Sequence, residues 1–187
     1  MSGCCTGNGS RQNRLEAIQE ILTEQGGFLD SLAGDDENTN VYVSVIKFDA
    51  NAHKVTEWLD ITEEGNLNSM KNSVNRIQLG SGTNIHGGLL LARNRLMMED
   101  VANVGSKYVV LLSDGAPYDV SPVNTGTSEV ESISGTKTNA ETAASRAETV
   151  AGQIRNSGVT IYSVGYLPLQ APPLQPLSSA GFSGGGG

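Results

Sequence analysis

Lys107-Tyr-Val-Val-Leu-Leu-Ser-Asp-Gly-Ala-Pro117 decides the fold. Lys107 to Leu112 is short, apolar and β-branched in part, the pattern of a buried strand. It ends abruptly on Ser113, Asp114, a glycine and a proline. A carboxylate at the end of a strand is badly placed for packing and well placed to face a ligand. Upstream, Ile85, Leu89, Leu90, Leu96, Met97 and Val101 mark a long helix, opened by the break Gly80-Ser-Gly-Thr-Asn84. Downstream, Ala140 to Ile154 reads as an alanine-rich helix ended by Gly158, and Val159 to Val164 as another strand.

The pattern continues outward. Val41 to Phe48 is a strand with both faces largely covered, Asp49 to Ala52 turns the chain, and His53 to Leu59 alternates as an edge or antiparallel strand anchored by Val55 and Trp58. Leu15, Ile18 and Leu22 place one stripe on a helix weakened by Gly26-Gly27, and Leu67, Met70, Val74 and Ile77 place another. Residues 1–13 read as loop, and 119–139, rich in Ser, Thr and Gly, as an insertion or surface loop. Tyr42, Tyr108, Tyr162 and Trp58 are expected in or near the core, and Met97-Met98 in helix packing. Strands alternating with long helices predict an α/β fold: three layers, doubly wound, with a mostly parallel sheet and helices on both faces. Ligands of such sheets gather beyond the carboxyl ends of the strands. Asp114, Asp49 and Gly165 all fall there.

Composition narrows the function. The chain has 187 residues and a net charge of -8, enough for one domain and unfavourable for nucleic acid or an anionic membrane. No apolar run approaches the roughly 20 residues of a membrane span. Cys4 and Cys5 are adjacent and the only cysteines, so no disulfide framework exists. Met1 is followed by a polar run with none of the apolar core of a signal peptide. Zinc lacks its ligands, and no P-loop or nucleophile elbow occurs.

What remains is oxygen chemistry. A hard divalent cation takes carboxylates, hydroxyls and water. Asp114 and Ser113 offer a carboxylate and a hydroxyl, and Ser81 and Thr83 offer hydroxyls in a Gly-rich turn before a helix. The bland alternatives are that Thr83 caps the helix and Asp114 makes a turn. Asp49, which also follows a strand, reads as a turn former outside the ligand set. A Ser81–His86 pair supported by an acid would instead signal an α/β hydrolase-like enzyme.

These residues resemble the von Willebrand factor type A domain, shared with integrin inserted domains, over about residues 10 to 166. The resemblance rests on Gly80-Ser-Gly-Thr-Asn-Ile-His-Gly-Gly-Leu89, on Val109-Val-Leu-Leu-Ser-Asp-Gly115, on Gly158-Val-Thr-Ile-Tyr-Ser-Val-Gly165 and on the helix Arg14-Leu-Glu-Ala-Ile-Gln-Glu-Ile-Leu22. It implies a non-catalytic adhesion module with a metal-ion-dependent adhesion site. There a magnesium, manganese or calcium ion is held by a first-strand Asp-x-Ser-x-Ser loop, a threonine and an aspartate, and a partner protein's acidic side chain completes the shell. By position Thr83 matches the threonine and Asp114 the aspartate.

This sequence departs from the family at both ends. The first strand with its Asp-x-Ser-x-Ser is not in it. Either Met1 stands for the methionine that follows that loop, or Ser2-Gly3-Cys4 stands in for Ser-Gly-Ser, which adds Ser2 to the ligands. Neither restores the aspartate, so metal binding is expected to be weak or absent without the upstream loop, and a metal-free structural fragment of the same fold is the alternative reading. The missing strand is central in the family's sheet, and its loss predicts marginal stability, which slow amide exchange across 107–112 with cooperative unfolding would contradict. Residues 167–187, with Pro168, Pro172, Pro173, Pro176 and a terminal run of glycine, read as a flexible tail after a domain spanning 1–166. The absent disulfides and the polar 119–139 segment tilt the setting toward the cell surface or envelope of a bacterium, as in pilus proteins.

Overall fold

A computed structural model of the chain describes residues 9–34, 39–98, 105–121 and 131–165. Ser2, Cys4, Cys5 and the segment from 167 onward lie outside the described residues. Helices α1 (Gly9–Thr23) and α2 (Phe28–Gly34) are followed by strands β1 (Tyr42–Val43), β2 (Ile46–Phe48), β3 (Ala52–Lys54) and β4 (Leu59–Asp60) and then by helix α3 (Glu64–Asn75). Then come α4 (Ile85–Leu96), β5 (Tyr108–Ser113), β6 (Asp119–Val120), β7 (Ser132–Ile133), β8 (Thr136–Lys137), α5 (Ala140–Asn156) and β9 (Thr160–Gly165).

The fold is α/β, with helices on both sides of the strands. The hairpin from Val41 to Ile61 separates two apolar clusters by its alternation. Val41, Val43 and Val45 pack on one side with Leu29, Ile61, Met70 and Val74, under α1, α2 and α3. Ile46 and Phe48 pack on the other with Leu89, Leu90, Leu91, Val150 and Ile154, under α4 and α5. Gly88 permits the close approach of α4 to β2, since a Cβ there would lie 3.0 Å from the Phe48 ring. Arg95 ties the same helix to the hairpin: its guanidinium lies 5.6 Å from the Trp58 ring centroid and bonds Ser44 Oγ at 3.0 Å and Glu57 Oε2 at 3.2 Å.

The expected parallel sheet is represented among the described residues by one pair, β5 with β9, in register from Tyr108–Thr160 to Ser113–Gly165. The remaining ladders, β1–β4, β2–β3–β7 and β6–β8, are antiparallel. The Val41–Phe48 segment is interrupted at Ser44–Val45, where the amides of Val55 and Thr56 both donate to the Val45 carbonyl. Such crowding of two residues against one is a bulge, and it splits the hairpin into two short ladders.

Several expectations are corrected. Residues 9–13 belong to α1 rather than to a loop. The 119–139 segment is not simply a surface loop: Asp119, Val120, Ser121 and Ile133 are buried, and Ile133 joins the core beside Ala52. Its many small polar residues hide two buried apolar positions, Val120 and Ile133, too few for periodicity to register. Helix α4 stops at Leu96, and Met97 caps it with its side chain exposed rather than packed. Tyr42, Tyr108 and Tyr162 are exposed, not core. Lys107–Leu112 buries one face only: Val109 reaches the core, whereas Tyr108 and Val110 do not.

Candidate functional site

The site is built where β5 ends and α4 begins. Helix α4 starts after Asn84, whose Oδ1 accepts the Gly87 amide at 2.8 Å. Asn84 therefore supplies the cap that the sequence left open to Thr83. Asn84 is fully buried, and its Nδ2 donates to the Ala50 carbonyl at 3.1 Å and to Ser121 Oγ at 2.9 Å. Its amide bonds the Asp49 carbonyl at 2.7 Å. One side chain thus joins the hairpin turn, the Gly80–Asn84 loop and the segment after β6.

Thr83 is positioned by its neighbours. Its amide donates to Asp119 Oδ2 at 2.8 Å, and its carbonyl accepts from the Tyr118 amide at 3.2 Å. Asp119 is buried at 2% exposure, a place where an acid needs such partners. The Gly80–Asn84 loop passes so near that Gly82, at φ +91°, has no room for a side chain. On the facing turn a Cβ at Gly115 would lie 4.0 Å from Thr83 Oγ1. Thr83 therefore lies beside the turn that carries Asp114, 31 positions away in the chain. Ser113 Oγ donates to the Gly115 carbonyl at 3.1 Å, which shapes the turn carrying Asp114. A cavity of about 270 Å³ opens at this edge, lined by Leu111, Ser113, Asp114, Gly115, Ser163 and Gly165 among others. A larger hollow, about 480 Å³ near Lys47 and Arg76, gathers no acid and lies away from this turn.

Two further charges matter. Arg14, on α1, places Nη1 3.0 Å from Asp114 Oδ2. Asp49 stays with its turn: its carboxylate accepts the Asn51 amide at 2.9 Å and pairs with Lys47 at 3.0 Å. Burial raises its pKa, but the Asn51 amide and Lys47 outweigh that and hold it below the ordinary aspartate value.

His86 does not meet Ser81. Ser81 is exposed on the loop, whereas His86 is buried on α4 and its Nδ1 accepts the Ser121 amide at 3.0 Å. The geometry that would favour a hydrolase is not formed. Burial, reinforced by Arg146 and Arg93, pushes the His86 pKa below 6.5. The unfolded chain takes up this proton as pH falls through about 6.5, while the folded imidazole resists it. The contribution of His86 to stability is thus full above that pH and declines below it, by at most about 1.4 kcal/mol per pH unit. Urea unfolding at pH 7.5 and 5.5 is expected to show a smaller loss on acidification in His86→Gln than in the parent chain. Equal losses would contradict the lowering of the His86 pKa by burial.

The donors near this turn, a carboxylate and a hydroxyl, are of the kind a hard divalent cation takes. They do not suit it in number. Among the described residues no three acidic, histidine or cysteine side chains cluster, and Arg14 already brings positive charge to Asp114.

A family model of the von Willebrand factor type A domain matches residues 8–182. The chain belongs to this family. Von Willebrand factor A domains are typically protein-interaction modules. No curated protein matches it. Two solved structures are similar to it. One is the vWF domain of the type V pili tip protein Mfa5 from Porphyromonas gingivalis, at 21% identity and TM-score 0.47, covering 60% of this chain and 35% of that one. The other comprises three N-terminal domains of the same pilus tip protein, at 22% identity and TM-score 0.49, covering 62% and 19%. This chain therefore spans about a third and a fifth of the two chains it resembles.

Sequence reasoning singled out Thr83 and Asp114 as candidates and did not single out Arg14, Asn84 and Asp119, which the structure places beside them. Arg14 lies on the polar side of a helical stripe, where charge is the default. Asn84 reads as loop punctuation. Asp119 opens a segment whose composition signals a surface loop. None of the described helices is long and apolar enough to cross a membrane.

Proposed function

We propose that this domain binds a partner protein through the crevice over Thr83 and Asp114, as a non-catalytic adhesion module assisted by a divalent cation. The observation that carries the reading is the nearness of Thr83 to the turn that carries Asp114, since a Cβ at Gly115 would lie 4.0 Å from Thr83 Oγ1. Thr83, Asp114 and, from outside the described residues, Ser2 are the ligands. Magnesium, manganese or calcium bound there would offer an open position to an acidic side chain of the partner. The chain's own part is to hold the donors still. Asp119 fixes the Thr83 backbone and Ser113 fixes the turn, so little ordering is left to be done on binding.

Arg14 competes for Asp114. Both side chains are partly exposed, at 22% and 44%, and such a pair contributes about 1 kcal/mol or less. A cation can displace it, but affinity is lowered accordingly. This pair also favours a second reading, in which the guanidinium stands permanently at Asp114 and the module works without metal. Calorimetric titration with manganese chloride separates the two. Weak binding is expected in the parent chain, at least tenfold weaker binding in Asp114→Ala, and about fivefold tighter binding in Arg14→Gln, equivalent to about 1 kcal/mol. No heat from either the parent or Arg14→Gln would select the metal-free reading.

A further inference from the structure

A hollow of about 480 Å³ lies between the hairpin and the end of α3, lined by Lys47, Val55, Ser73, Arg76, Ile77 and Gln78. Two cations line it and no acid does, in a chain whose net charge is -8. Lys47 stands on β2 between Ile46 and Phe48, which pack under α4 and α5, so alternation turns it to the opposite face. Arg76 caps the end of α3 and is exposed. Val55 and Ile77 give the hollow apolar walls and belong to neither core cluster.

Neither cation is used up by its neighbours. An arginine at a helix C-terminus commonly bonds the last carbonyls. Here Gln19 Nε2, from α1, already donates to the Val74 and Ile77 carbonyls at 2.9 Å and 3.0 Å. The Arg76 guanidinium has no ion pair with a described residue. Lys47 lies 3.0 Å from Asp49, but an ammonium carries three donors, so it can keep that acid and take another oxygen. The frame around the two cations is fixed. The Gln19 bonds pin the end of α3 to α1, Ser73 Oγ donates to the Ser69 carbonyl at 2.9 Å, and the Val55 amide donates to the Val45 carbonyl at 2.8 Å. A site held in this way needs little ordering when a ligand arrives.

We propose that this hollow docks an acidic segment of a partner protein, whose carboxylates pair with Lys47 and Arg76 while an adjoining apolar side chain rests on Val55 and Ile77. Charge decides the occupant. A guanidinium takes a carboxylate bidentately, and two cations without a lining acid favour negative charge between them. Nucleic acid or an anionic membrane brings many charges at once and meets the repulsion of the whole acidic chain. A short segment with one or two acids engages the two cations at close range, while charges beyond about 10 Å are screened. The site is separate from the Thr83–Asp114 turn and needs no metal, so it stands or falls independently of the cation proposed there.

Titration of the ¹⁵N-labelled full chain with the peptide acetyl-Gly-Glu-Leu-Glu-Gly-amide, in EDTA so that metal-assisted binding is silent, reads this site directly. Amide shifts are expected at Lys47, Ser73, Arg76, Ile77 and Gln78, saturating with a Kd of about 1 mM. Binding is expected to weaken about tenfold in Arg76→Gln, through loss of a charge-assisted pair. It is expected to stay at the parent level in Arg155→Gln, which removes the same charge from an exposed position in the last turn of α5. Both arginines are exposed, so both variants are expected to keep the parent's urea midpoint. The peptide acetyl-Gly-Gln-Leu-Gln-Gly-amide is expected to cause no shifts. Absence of shifts at millimolar peptide, shifts centred elsewhere, equal weakening in the two arginine variants, or equal binding of the glutamine peptide would each overturn the proposal. So would displacement of the peptide by equimolar inorganic phosphate, which would make the hollow a site for free anions rather than for a protein segment.

Discussion

Asn84→Ala is expected to destabilise the domain by about 3 kcal/mol. The substitution removes the acceptor for the Gly87 amide, a helix cap worth about 1 kcal/mol. It also leaves the Ala50 carbonyl and the Ser121 hydroxyl without the Nδ2 donor at a fully buried position. Each group so stranded costs about 1–3 kcal/mol, offset in part by whatever water enters. With an unfolding slope of about 2 kcal/mol per molar urea, the midpoint falls by about 1.5 M. Asn84→Asp tests the division of labour. It keeps the cap acceptor but turns a donor into a carboxylate oxygen facing the Ala50 carbonyl, so it too is expected to lose most of this stability. A loss below 1 kcal/mol in both variants would contradict the account of Asn84 as the junction of the site.

Gly82→Ala is the second large effect, expected at about 2 kcal/mol. At φ +91° an alanine is strained, and strain of this sort costs about 1–3 kcal/mol. Its Cβ would also come within 2.5 Å of Asp119 Oδ2 and 2.9 Å of Ala50 Cα. The loop must move, and the bond from the Thr83 amide to Asp119 is the first to go. The amide resonance of Thr83 is expected to shift and its exchange protection to fall in the variant, alongside the lost stability. A variant within 0.5 kcal/mol of the parent, with Thr83 unmoved, would show that the loop tolerates a side chain there, contrary to the packing of Asp119.

The sequence is legible where one physical signal dominates. Long amphipathic stripes located α3, α4 and α5, and the apolar run into Ser113-Asp114-Gly115 located the strand end and one ligand candidate. Thr83 became a candidate because a Gly-rich turn precedes it at the start of a helix. What failed depends on distant neighbours. Tyr108 and Val110 have the composition of a buried strand, yet burial of a given face depends on what lies over it. Asp119 and Ile133 sit in a segment polar enough to pass for a loop, since burial there comes from contacts with α4 and β3 rather than from local pattern. The Arg14–Asp114 pair joins residues 100 positions apart with no periodic trace. Among the described residues the parallel pairing is that of β5 with β9, since the short hairpin strands between α2 and α3 pair with antiparallel neighbours.

The most direct test of the central claim is manganese-induced broadening of the amide spectrum of the ¹⁵N-labelled full chain. Paramagnetic loss acts only near the bound ion. The account predicts that substoichiometric manganese erases the signals of Thr83, Ser113, Asp114 and Gly115 first, leaves those of α3, β3 and β4 intact, and erases none of these signals in Asp114→Ala. Broadening centred elsewhere, such as on exposed acids of α1 or α5, or unchanged by Asp114→Ala, would contradict the assignment of the crevice as the binding site.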